Sequence, residues 1–151
     1  MAVNRGVVAS SVLVLVLGCG AQAPDTPAET VRVFLDAMDQ SANDAGRLAD
    51  AYRLLDSHGR EELRARAHKA ETLTGRAFEP WEMLAQGRFR LRFAPAARGG
   101  MRERIRGATA VVVVTGAEGD RAEVPLVREE GQWRVRLSIP PLGEPSPERV
   151  P

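Results

Sequence analysis

The sequence predicts an α+β domain, with N-terminal helices packed on one face of an antiparallel sheet of about five strands. Three observations carry that prediction. Apolar residues recur at i, i+3, i+4, i+7 through the first half of the chain, the signature of amphipathic helices. From Arg88 the apolar period drops from about 3.6 to 2, the period of a half-buried strand. The alternating runs that follow are separated by short turns rich in Gly, Asp and Glu, which antiparallel neighbours require. A length of 151 residues suits one domain, and 44% apolar with 27% charged residues argues against wholesale disorder.

Residues 1–18 read as a cleavable leader. Arg5 supplies the n-region charge, and Val7–Leu17 is an uncharged run of 11 mostly apolar residues. A bilayer needs about 20 such residues, so this is a signal segment and not a transmembrane helix. It ends in Val16-Leu17-Gly18-Cys19, which resembles the lipobox of bacterial lipoproteins. The resemblance implies that Gly18 precedes the cut and that the Cys19 thiol receives a diacylglyceryl group. The new amino group then takes a further acyl chain such as palmitate. Cysteine usage agrees, because exported domains pair or avoid cysteines and the chain's one cysteine is Cys19. Residues 19–25 are then the lipidated cysteine and a short tether, and the folded part stays close to the membrane.

The domain itself runs over 26–139. Thr26-Pro27-Ala28-Glu29 reads as a capping box with proline in the first turn. Val31, Phe34, Leu35 and Met38 form the apolar stripe of a helix reaching Gln40. A second helix starts at Asn43 or Asp44, with Leu48, Tyr52 and Leu55 on one face. Asp56-Ser57 breaks it and caps a third helix through Glu61–Ala70. Thr74–Gly87 is a long connection with one short helical turn.

Five strands follow. Phe89, Leu91 and Phe93 alternate with Arg88, Arg90 and Arg92; Met101–Arg106 places Arg102, Arg104 and Arg106 on one face. Thr109–Thr115 is β-branched and reads as a central strand, and Arg121–Val127 returns beside it. Trp133, Val135 and Leu137 alternate with Arg134, Arg136 and Ser138 in the last strand. Pro125 inside the fourth strand predicts a bulge or an edge position. Residues 140–151 hold five of the chain's ten prolines and read as an extended, disordered tail.

The opening helix Pro27–Gln40, the AYRLLD of 51–56 and the closing hairpin VPLVREEGQWRVRL of 124–137 resemble the nuclear transport factor 2-like superfamily. The resemblance spans about residues 26–138 and implies a cystatin-like cone, a curved sheet wrapped around a long helix. It supports fold far better than function.

Chemistry-bearing residues are few. Catalytic members of that superfamily use an Asp/His pair in the cone, but Asp56 and His58 fall in an inter-helix turn where Asp and Ser serve as caps. No catalytic residue is assigned. His58 and His68 lack metal-ligand spacing, and no cofactor or metal is expected. The chain carries no phosphate loop and no nucleophile elbow.

The sharpest oddity is arginine. Lys69 is the sole lysine, and removing Arg5 with the leader leaves 20 basic against 20 acidic side chains. A GC-rich genome produces the same skew without selection, and a zero balance excludes a generic polycation for nucleic acid. Arg88, Arg90, Arg92, Arg102, Arg104, Arg106, Arg134 and Arg136 nevertheless fall on strand faces as a guanidinium comb, a candidate anion-binding surface. The bland alternative is a solvated outer face neutralised by Glu103, Glu123 and Glu130. Trp81, Glu82 and Met83 either rim the open end of the cone or plug its core, and the plug is favoured.

The sequence therefore points to a lipid-anchored protein of the bacterial cell envelope facing the periplasm. Gly20 after the cysteine favours the outer membrane. Its domain reads as a non-catalytic binding or interaction module for an envelope protein or an anionic lipid, with a homodimer through the sheet left open. The rival is a small isomerase- or hydrolase-like enzyme using the cone pocket.

Overall fold

A computed structural model describes residues 24–86, 91, 93–96, 100–140 and 142. Four helices precede four strands: α1 (Pro27–Gln40), α2 (Arg47–Arg53), α3 (Ser57–Thr74), α4 (Glu82–Gln86), then β1 (Met101–Arg106), β2 (Thr109–Thr115), β3 (Arg121–Glu129) and β4 (Gln132–Val135). The strands form an open antiparallel meander in the order β1-β2-β3-β4. The expected α+β class stands. Leu91 is irregular and Phe93 a bend, so neither lies in the expected strand; Arg88, Phe89, Arg90 and Arg92 lie outside the described residues. Gly18 and Cys19 lie outside them too, as does most of 140–151.

Helix α1 begins as its residues dictate. Thr26 caps it, its hydroxyl accepting from the Glu29 N–H at 3.1 Å, with Pro27 in the first turn. Only half of the expected capping box forms. The Glu29 carboxylate lies 3.5 Å from Arg32, and a carboxylate from the sheet serves the next donor: Ala28 N–H donates to Glu103 Oε2 at 3.0 Å. Negative charge at a helix N-terminus is favourable there. The stripe Val31, Phe34, Ala37, Met38 is buried against the sheet.

The sheet is one-sided, and register shows which side. Ala110, Val112 and Val114 of β2 are buried and pair with Leu126, Val124 and Ala122 of β3, while Thr109, Val111, Val113 and Thr115 face away. Trp133 and Val135 of β4 complete the buried face at 7% and 0% exposure. Helix α1 packs on β1, β2 and β4, and α2 and α4 pack behind it. Among the described residues the buried apolar side chains lie between Pro27 and Val135, so the domain carries its own core.

Pro125 sits in β3 with neither a bulge nor a place at the edge of the sheet. It pairs with Val111 on one side. On the other, β4 pairs only with Leu126–Glu129, and the Pro125 carbonyl accepts from Arg136 N–H just past the end of β4. The missing N–H therefore falls where ladder pairing stops. The physical requirement for proline is met by a locally unpaired strand end.

The outer edge of β4 is closed by the turn after α2. Leu55 bridges Val135 in parallel fashion, with Val135 N–H to Leu54 O at 2.8 Å and Asp56 N–H to Val135 O at 3.0 Å. Helix α3 is longer than expected at both ends. Asp56 caps it directly, and Gly75 at φ 71 ends it with its N–H on Glu71 O at 2.8 Å. Among the described residues no helix is long and apolar enough to cross a membrane.

Candidate anion-binding face

Strand alternation decides which arginines share a surface. Arg102, Arg104 and Arg106 of β1 pair with Val113, Val111 and Thr109 of β2, the residues of the outer face. All three are exposed. Arg121 of β3 pairs with Thr115 and joins them, a member the sequence reading missed although its position in an alternating strand marked it.

Neutralisation is sparse. Arg104 Nη2 lies 2.7 Å from Glu123 Oε1, but both side chains are 64% exposed, and such pairs contribute about 0–1 kcal/mol. Among the described residues Arg102, Arg106 and Arg121 have no ion pair. Glu103, expected to neutralise this face, points the other way, because it is one residue out of phase with the arginines and holds α1. Glu130 lies in the β3–β4 turn at φ 50. An open depression of about 630 Å³ on this face is bordered by Arg102, Arg104 and Arg121 and by the acidic Glu103 and Glu123, among others.

Two predicted members are spoken for. Arg136 Nε donates to Asp56 Oδ2 at 3.0 Å, so it serves a buried carboxylate inside the fold. Arg134 donates to the Arg53 carbonyl at 2.6 Å and to the Gln132 side chain, which ties β4 to the end of α2. Arg88, Arg90 and Arg92 lie outside the described residues. Among the described residues the comb comprises Arg102, Arg104 and Arg106, with Arg121 added.

The Asp56/His58 pair is no dyad. Asp56 is 1% exposed and fully engaged, one oxygen accepting from Gly59 N–H at 2.9 Å and the other from Arg136. His58 is exposed on the first turn of α3. Among the described residues no three His, Cys, Asp or Glu side chains cluster as metal ligands would. Met83 and Leu84 are buried and Trp81 packs half-buried on the core, so the long connection plugs the core as expected.

Comparison with known proteins adds no identity. No protein-family model matches the chain, and no curated protein or solved structure matches it.

Proposed function

We propose that the chain is a lipid-anchored protein of the bacterial cell envelope, retained at the outer membrane and facing the periplasm. Its domain is a non-catalytic binding module of the nuclear transport factor 2-like, cystatin-like type. The observation that carries the reading is Cys19. It is the chain's one cysteine, and it closes an 11-residue apolar run in the pattern Val16-Leu17-Gly18-Cys19. Eight positions later α1 begins at Pro27, so two or more acyl chains would hold the domain against the bilayer. The module reading is supported by the four arginines of the outer sheet face and by the absorption of Asp56 into a cap and an ion pair.

The test is the intact mass of the protein extracted from membranes, beside a Cys19→Ser variant. A chain starting at Cys19 and carrying acyl mass, with Cys19→Ser unacylated and its leader uncleaved at this position, is the expected outcome. An unacylated chain released into the soluble fraction would overturn it.

A further inference from the structure

We propose that β1 is the membrane-apposed edge of the domain, and that Arg102, Arg104 and Arg106 bind the phosphate headgroups of anionic lipids. The proposal deepens the lipid-anchor reading and rests on it. Three observations carry it. The anchored end enters the domain beside the β1 edge, on the face opposite the arginines, because Ala28 N–H is held 3.0 Å from Glu103, the residue between Arg102 and Arg104. From Cys19 to Ala28 the nine intervening steps span at most about 30 Å, so this strand stays within reach of the surface.

The second observation is where free positive charge resides. On α1 and α2 each arginine is compensated locally, Arg32 by Glu29 and Asp36, Arg47 by Asp44 and Asp50, and Arg53 by Asp50, while α3 interleaves Arg64, Arg66 and Lys69 with Glu61, Glu62 and Glu71. The outer face beside β1 presents Arg102, Arg104, Arg106 and Arg121 against Glu123, a net of three positive charges, and Glu129 at the far end of β3 is held by Ser57 and Arg60. An anionic leaflet attracts such charge over about a Debye length of 8–10 Å. The third is topology. β1 is the edge strand, and all but its first residue are exposed, Ile105 at 51%. Cationic side chains on an open edge reach headgroup phosphates through charge, which arginine and lysine both supply.

The experiment uses the mature chain from residue 19 with Cys19→Ser, which retains the entire described core. It is sedimented with vesicles of phosphatidylcholine alone and of phosphatidylcholine with phosphatidylglycerol in a roughly 2:1 ratio. Binding to the anionic vesicles only is expected. The triple variant Arg102→Gln, Arg104→Gln, Arg106→Gln should lower partitioning about 100-fold, the loss of three lipid-facing charges. Removing the same charge from the helices with Arg32→Gln, Arg47→Gln, Arg64→Gln should leave it within about threefold. The triple Arg→Lys variant at 102, 104 and 106 should restore most of the binding.

Equal losses in the two glutamine triples, or wild-type binding by the β1 triple, would overturn the proposal. Failure of the lysine variant to restore binding would also overturn it, by showing that the fold and not the charge was lost. Displacement by inorganic phosphate beyond its ionic-strength effect would reassign the site to a free anion. Acylation of Cys19 is read separately by mass, so failure of the anchor and failure of the β1 surface are told apart.

Discussion

Asp56 shows how one residue can carry structure where its chemistry suggests catalysis. Its carboxylate is 1% exposed, takes one hydrogen bond from Gly59 N–H at 2.9 Å and one from Arg136 Nε at 3.0 Å. Arg136 itself is 53% exposed, so the two partners are unequal. Stripping Arg136 leaves a buried carboxylate oxygen unmet, whereas stripping Asp56 lets the guanidinium turn to water. Arg136→Ala should therefore cost about 1–3 kcal/mol in the native chain, and almost nothing once Asp56→Ala is present. A urea-denaturation double-mutant cycle reads the coupling, and additive effects would show that the pair is idle. Gly59 belongs to the same device. A Cβ there would stand 2.9 Å from Asp56 Oδ1, so Gly59→Ala should destabilise, in place of the roughly 1 kcal/mol gain usual for a helix interior.

At the scale of elements, β2 offers adjacent residues with opposite fates. Val112 is 0% exposed and faces α1, while Val113 is half-buried on the outer face between Arg102 and Glu123. Val112→Thr buries a hydroxyl with no partner provided and should cost about 1–3 kcal/mol. Val113→Thr should stay within about 0.5 kcal/mol. Comparable losses in thermal or urea unfolding would mean that the outer face is covered in solution, as a dimer through the sheet would cover it. The elements themselves were largely legible. The stripe of α1, the Thr26 cap and the β-branched run of β2 carry local periodicities strong enough to survive packing. The ends were harder. Gly75 after Thr74 was a readable stop for α3, since a left-handed C-cap favours glycine. The Leu55–Val135 bridge had no local sign, because it joins residues 80 apart.

The candidate surface was legible in kind and misread in membership for the same reason. Alternation correctly placed Arg102, Arg104 and Arg106 on one face and should have excluded Glu103 from it. Which arginines remain free depends on partners distant in sequence, and those claim Arg134 for the Arg53 carbonyl and Arg136 for Asp56.

For the whole molecule, the domain's C-terminal boundary depends on the same kind of long-range closure. Past β4 the chain does not simply leave. Arg136 N–H donates to Pro125 O, Leu137 and Ile139 pack half-buried on the core, and Arg66 of α3 donates to the Pro140 carbonyl. These contacts tie α3, which packs mainly on α4, to the sheet. The five-proline segment from 140 onward contributes its first carbonyl to that tie. Ending the chain after Leu142 should therefore leave the urea midpoint unchanged. Ending it after Arg136 removes two partly buried aliphatic side chains, each contributing up to about 1.5–3 kcal/mol when fully buried, so a loss of about 2–4 kcal/mol is expected. Amide exchange should then accelerate first in α3, where Leu63 and Ala67 are its only buried apolar side chains. If exchange rises evenly through α1 and β2 as well, the C-terminal segment is a staple of the whole core and not of α3.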